Sequence, residues 1–323
     1  MMTMKRSVKA HTPATMHLRL GARASTLSMA QSELFAKALM TRHPGLEVEI
    51  VPISTTGDEI QDRPLHEFGG KGLFTKQLEQ ALLAGDVDFA VHSYKDVPVT
   101  MPLVDTSNLS IVATPLRENP CDVLVSRKAT FVGGLPKGAK VGTGSLRRKA
   151  QLLALRPDLR VELIRGNIDT RLRKLEHGEF DAIILAAAGL YRAFLFDASY
   201  MTRIPIEDLM PAAGQGALAV QCRGDCAHVA RLLAVLNDPD SALAVALERE
   251  VVRLLDGDCH SPIGAYATIE RRSVALRACV AQRDGTPPLL SDMLTVPRAH
   301  ADQAPARLVE AIASRGGRCL LCK

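Results

Sequence analysis

Leu83-Ala84-Gly85-Asp86-Val87-Asp88-Phe89-Ala90 is echoed by Leu175-Glu176-His177-Gly178-Glu179-Phe180-Asp181-Ala182. In each stretch a helical pattern stops at a glycine, which takes a left-handed conformation without a Cβ clash. An acidic residue, an apolar residue and an aspartate then lead into a strand pattern. Two related units, each delivering a strand after a helix, follow from this repeat.

The flanks extend the pattern. His17–Leu20 reads as a strand, and Leu27, Ala30, Leu34 and Ala38 recur at helical spacing. Val48–Ile53 is β-rich, Leu73–Leu83 helical, and Phe89–Val91 a buried strand. The second unit has a strand ending at Val141, a helix to about Arg156, a strand at Val161–Ile164, a helix at Ile168–Leu175 and a strand at Ala182–Leu185. Such alternation defines an α/β fold with mainly parallel sheets. Ala217–Gln221 reads as another strand, followed by helices near Val229–Leu236 and Ala242–Leu255. Beyond Pro262 come alternating strands at Ala265–Ile269 and Val274–Val280 and a helix at Ala304–Ser314, a small α+β unit.

A length of 323 residues favours two or three domains. The net charge is only +5, but ten basic and three acidic residues fall between Lys140 and Lys174, which suits a polyanionic ligand. Trp is absent and aromatics make up 4%, so a nucleic acid read by base stacking is not expected. Seven scattered cysteines read as reduced thiols of a cytoplasmic protein. Cys222/Cys226 and Cys319/Cys322 lack the spacing of a four-ligand zinc site, so no metal is expected. No stretch is long enough to span a membrane. The basic N-terminus, with Lys5, Arg6 and Lys9, has no apolar signal core and reads as a short leader or a transit segment.

Gly142-Thr143-Gly144-Ser145-Leu146-Arg147-Arg148 turns a strand into a helix. Free N–H groups at a helix start bind anions, and Thr143 and Ser145 add hydroxyls. Arg147 and Arg148 oppose the helix dipole there, a cost that a bound anion would offset. Arg165 and Arg171 should face the same crevice, because α/β ligands gather at strand carboxyl ends. Arg23 and Arg192 follow other strands, and together the six arginines suit a ligand with several carboxylates. Asp96, in His92-Ser93-Tyr94-Lys95-Asp96, is either half of a surface pair with Lys95 or a cleft carboxylate able to stabilise a cation. Lys71, in Gly69–Gly72, reads as part of an anion nest or a mobile loop. Cys259, in Gly257-Asp258-Cys259-His260-Ser261-Pro262, reads equally as an inert loop thiol or a nucleophile.

Taken in order, Gly69–Phe74, Val91–Pro98, Val141–Arg148, Leu163–Arg171, Asp181–Leu190, Pro211–Gly216 and Gly257–Gly264 resemble the porphobilinogen deaminase family. The resemblance implies two periplasmic-binding-protein-like lobes with mixed, mainly parallel sheets, plus a small α+β C-terminal domain. Its divisions would be 17–114 with 215–236, then 115–214, then 237–323, with linking segments near Ala113–Pro120 and Pro205–Gly214. It implies a transferase of tetrapyrrole biosynthesis that joins four porphobilinogen units with loss of ammonia and releases hydroxymethylbilane. It also implies a dipyrromethane cofactor held by a thioether to Cys259, and a monomeric enzyme. Asp96 matches the carboxylate that contacts pyrrole nitrogens and stabilises the azafulvene cation. Lys95, Asp96, Thr143, Ser145, Arg147, Arg148 and Arg171 match cofactor contacts. Arg23, Ser25, Arg165, Arg171, Arg192 and Lys71 match substrate contacts. Two positions depart from the pattern: Gly144 stands where many relatives have Ser, and Glu67 where they often have Lys. A two-lobed solute-binding protein would share the fold and the anion cleft but would not need Asp96 together with Cys259. A phosphate-ligand transferase using Lys71 would need a P-loop pattern that the sequence lacks.

Overall fold

The computed structural model describes residues 16–55, 75–99, 108–258 and 260–321. The Gly69–Phe74 loop with Lys71, the departure at Glu67, and Cys259 itself lie outside the described residues.

The first sheet contains β1 (Met16–Arg23), β2 (Leu46–Ile53), β3 (Phe89–Ser93), β4 (Leu109–Ala113) and β10 (Leu218–Arg223), in the order β2-β1-β3-β10-β4. The second contains β5 (Asp122–Val125), β6 (Lys140–Gly142), β7 (Arg160–Glu162), β8 (Ala182–Ala186) and β9 (Met201–Arg203), in the order β7-β6-β8-β5-β9. β1 runs parallel to β2 and β3, while β10 is antiparallel to both its neighbours. β6 runs parallel to β7 and β8, while β5 is antiparallel to both of its neighbours. Four strands of each sheet therefore share one direction and the fifth is reversed.

The reversed strand is in each case the one entered just after the chain crosses from the other sheet. Residues 114–121 carry the chain from β4 to β5, and 204–217 return it from β9 to β10. β3 and β8 hold equivalent places, and Gly85 and Gly178 before them both have φ +75°. The sequence echo is thus a topological one.

Helices cover both faces of each sheet, as parallel strands require. α1 (Thr26–Arg42) and α6 (Ala227–Ala234) bury Phe35, Leu39, Val229 and Leu233 on one face of the first sheet, and α2 (Lys76–Ala84) buries Leu78 and Leu82 on the other. In the second sheet α3 (Leu146–Leu155) covers one face through Leu152. α4 (Ile168–Glu176) and α5 (Ala187–Arg192) cover the opposite face through Leu172 and Leu190. The strand expected at Val161–Ile164 stops at Glu162, and Leu163 is exposed. β4, β5, β9 and β13 were not among the expected strands.

The third unit is an antiparallel sheet of β11 (Ile263–Ile269), β12 (Ser273–Ala281) and β13 (Leu289–Pro297), packed on α7 (Pro239–Leu254) and α8 (Ala304–Ser314). Asp238 caps α7 by accepting from the Ser241 N–H at 2.7 Å, with Pro239 in the first turn.

One buried ion pair ties this unit to both crossing segments. Arg117 donates to the two Glu248 oxygens at 2.6 and 3.0 Å, and its Nε donates to Gln215 O at 2.9 Å. Glu248 also accepts from Gly214 N–H at 2.7 Å and Ala267 N–H at 2.9 Å. Gly216, at φ +89°, sits where a Cβ would lie 2.3 Å from Glu118 O, so only glycine allows the two segments this approach.

Candidate functional site

The turn Tyr94–Asp96 closes β3 at its carboxyl end. Arg249 of α7 holds it, donating to Val97 O at 2.7 Å and Pro98 O at 2.6 Å with its guanidinium over the Tyr94 ring at 4.9 Å. Lys95 and Asp96 line different pockets.

Lys95 faces a pocket shared by all three units. Ser145 and Arg147 line it from the second lobe, and Arg249, Asp258 and Ser261 from the third unit. Asp258 and Ser261 bracket Cys259 in the chain. Asp258 Oδ1 accepts from Ser261 Oγ and from the His260 N–H, each at 2.9 Å. Burial works to raise the Asp258 carboxyl, but these hydrogen bonds hold it below its ordinary value. Burial lowers the Lys95 ammonium to about 8, opposed by Asp96 and reinforced by Arg148.

Asp96 lines a second pocket with Arg23, Ser25, Ser28, Gln31, Thr75, His92 and Ser93. Ser25 also caps α1, accepting from Ser28 N–H at 3.4 Å. Arg171 lies within electrostatic reach of Asp96, Arg148 and Arg165. Burial, with the repulsion of Arg148 and Arg165, lowers the Arg171 guanidinium to about 10 against the pull of Asp96. Its Nε donates to Gly166 O at 2.8 Å.

The glycine-serine turn behaves differently from the anion site read in the sequence. Thr143 Oγ1 accepts from Ser145 N–H at 3.2 Å, and Ser145 Oγ caps α3 at 3.4 Å from Arg148 N–H. The charge that compensates Arg147 and Arg148 is internal. Asp122, fully buried at the head of β5, lies 2.9 Å from Arg147 Nη2 and 2.7 Å from Arg148 Nη2. Arg148 Nη1 donates to Ile184 O at 2.9 Å, and Gln215 Nε2 donates to Asp122 at 2.9 Å. Burial alone would raise the Asp122 carboxyl; Arg147 and Arg148 overcome this and hold it at about 2. Arg147 Nη1 reaches Met210 O at 2.5 Å, while its buried Nε has no hydrogen-bond partner among the described residues.

Arg192 stands apart from this cluster. Its Nη2 donates to Gly216 O at 2.8 Å, and burial lowers it to about 10 against the attraction of Glu118. A Cβ on Gly144 would meet Ile164 O at 3.3 Å, so a serine there needs a shift of a few tenths of an ångström. Sequence reasoning missed Asp122, Gln215 and Arg249. Only Asp122 left a signal, a carboxylate heading the otherwise apolar Asp122–Val125 run.

The donor set suits a flexible polycarboxylate: hydroxyls, a half-buried ammonium, an unsatisfied guanidinium Nε and arginines that repel one another. Two mixed sheets joined by a double crossing, with this cationic set beside the Asp96 carboxylate, define a two-lobed α/β protein suited to an anionic ligand.

Family comparison narrows the class. Residues 18–231 match the model described as porphobilinogen deaminase, dipyromethane cofactor binding domain, and residues 242–312 match the porphobilinogen deaminase C-terminal domain. The porphobilinogen deaminase of Syntrophotalea carbinolica is 44% identical over 306 residues, 94% of this chain and 95% of that one. That of Syntrophobacter fumaroxidans is 47% identical over 268 residues, 83% and 85% of the two chains. A periplasmic substrate-binding protein of an ABC transporter from Coxiella burnetii aligns with a TM-score of 0.43 at 16% identity, covering 72% of this chain and 96% of its own. That likeness is distant.

The chain belongs to the porphobilinogen deaminase family. It is a transferase of tetrapyrrole biosynthesis that condenses porphobilinogen to hydroxymethylbilane and uses a dipyrromethane cofactor. Among the described residues no helix is long and apolar enough to cross a membrane.

Proposed function

We propose that Cys259 carries the dipyrromethane through a thioether and that Asp96 is the catalytic carboxylate. The supporting observation is the pocket in which Lys95, Ser145 and Arg147 meet Asp258 and Ser261, the residues bracketing Cys259. The bound cofactor would supply carboxylates and an electron-rich pyrrole carbon to receive the first substrate unit. Lys95, Thr143, Ser145, Arg147, Arg148 and Arg171 would hold those carboxylates, with Arg147 and Arg148 pre-set by Asp122. Arg23, Ser25, Arg165, Arg171, Arg192 and Lys71 would bind the acetate and propionate groups of substrate and growing chain.

Asp96 would accept the pyrrole N–H and stabilise the cation left on the substrate methylene when ammonia departs. Its pocket is bounded by Arg23, so cation stabilisation and carboxylate binding sit side by side. We assign the domains as 17–114 with 215–236, 115–214 and 237–323, with hinges in the two crossing segments. The enzyme would act in the cytoplasm as a monomer on porphobilinogen and polypyrrole intermediates, without nucleic acid or membrane partners.

Intact-mass spectrometry tests the attachment. The purified protein should exceed its sequence mass by two linked pyrroles, and Cys259→Ser should remove the excess. An active protein at its bare sequence mass would overturn the assignment.

A further inference from the structure

A hydrogen-bonded chain on the α2 side of the first sheet ends in the Asp96 pocket. Glu79, buried on α2, accepts from Gln221 Nε2 at 3.4 Å. That contact turns the Gln221 carbonyl oxygen toward His92, whose Nε2 lies 2.9 Å away. An amide oxygen only accepts, so Nε2 must carry the ring proton. In a neutral imidazole the other nitrogen, Nδ1, is then a bare acceptor. Among the described residues nothing donates to Nδ1. His92 lines the pocket that holds Asp96, Arg23 and Ser25.

We infer that His92 is a positioning residue for the leaving group: its Nδ1, fixed in the unprotonated form by Glu79 and Gln221, accepts a hydrogen bond from the aminomethyl ammonium of the incoming porphobilinogen. The inference rests on the Asp96 pocket being the substrate site. Burial, opposed by Gln221 and reinforced by Arg23, lowers the ring to about 4. So weak a base orients an ammonium without taking its proton. Asp96, in the same pocket, is left to face the pyrrole N–H and the methylene that becomes cationic.

The chain gives the idea a test away from the pocket. Glu79→Gln adds a donor where only an acceptor stood, so the Gln221 amide can reverse and turn the His92 tautomer over. With holoenzyme, kcat/KM for porphobilinogen should fall about tenfold or more, the loss of one charge-assisted hydrogen bond. Inhibition by an analogue with methyl in place of aminomethyl should not change. Nitrogen NMR of the histidine ring, assigned with His92→Gln, should report Nε2–H in the wild type and a shift toward Nδ1–H in Glu79→Gln.

Should Glu79→Gln fail to fold, a pair at His92 gives the same answer. Asn sets its oxygen near the Nδ1 position and Gln near Nε2, so His92→Asn should keep kcat/KM well above His92→Gln. A wild-type Nδ1–H tautomer, equal loss for substrate and methyl analogue, or equal loss in Asn and Gln variants would overturn the inference. Those outcomes leave Asp96 untouched. Normal turnover by Asp96→Ala would instead remove the pocket assignment itself.

Discussion

Arg148 sets both Nε and Nη2 on one oxygen of Asp122, at 3.1 and 2.7 Å, with both side chains almost wholly out of water. Arg147 reaches the other oxygen. Two arginines that look like a ligand-binding pair in the sequence are therefore also the buried partners of β5, two strands away from β6 in the same sheet. The carboxylate neutralises part of the helix-start repulsion before any ligand arrives, which keeps the pair ordered.

Asp122→Asn should strand two buried guanidinium groups and destabilise the protein by about 3–5 kcal/mol. The Asp122 carboxyl is held at about 2, below its ordinary 3.8, so its contribution is full above pH 3.8 and disappears as pH falls through 2. Denaturant titrations at pH 7 and pH 2.5 should show the wild-type advantage shrinking at the lower pH. An advantage unchanged at pH 2.5 would contradict the pairing.

Glu248→Ala should cost a similar amount, about 3–5 kcal/mol, because Arg117 and the Gly214 and Ala267 N–H groups lose their acceptor together. The loss should concentrate where α7 meets the crossing segments. Hydrogen exchange at Gly214 and Ala267 should accelerate more than at Leu20 or Val141, which lie inside the two sheets.

His92 gives a pH signature of the same sign as Asp122, set at higher pH. Its folded value near 4 lies below the ordinary 6.5, so the unfolded chain takes up the proton first. Stability is full above pH 6.5 and declines as pH falls toward 4, by about 3 kcal/mol. His92→Gln should remove that share of the acid sensitivity, measured as the change in urea midpoint between pH 7.5 and 4.5.

Asp96→Ala should fold normally, since the side chain sits on a half-buried turn at a pocket and anchors no described element. Turnover of porphobilinogen should drop by about a hundredfold or more, the scale for removing a group aimed at developing charge. Circular dichroism and intact mass would confirm a folded, loaded protein, so that the loss reports on chemistry alone.

Gly144→Ser tests the departure from the family pattern. The added Cβ meets Ile164 O at 3.3 Å, a contact relieved by a small shift, so stability should change by less than about 1 kcal/mol. A larger loss would mean that the turn cannot yield.

Local periodicity carried much of the architecture. The glycine-terminated helices before β3 and β8 and the change to an antiparallel tail are short-range features, and the sequence displays them. β5 was invisible because Asp122–Val125 is only four residues, buried throughout, with no alternation to read. β4 and β9 are short as well, and their partners lie far away in the chain. Arg23, Asp96 and Arg171 could be nominated from their places after strands, but not their sharing of one field.

The amino-acid sequence by itself determined the α/β class, the repeated unit, the cationic stretch and the family. Each is encoded in neighbouring residues or in a linear order of motifs. Only the tertiary structure decided that Asp122 faces Arg147 and Arg148, that Lys95 and Asp96 turn into separate pockets, and that Glu79 reaches His92 through Gln221. These contacts join residues from 25 to 142 positions apart in sequence. Their energies come from desolvated charge and hydrogen-bond direction, which exist only once the double crossing has packed the strands together.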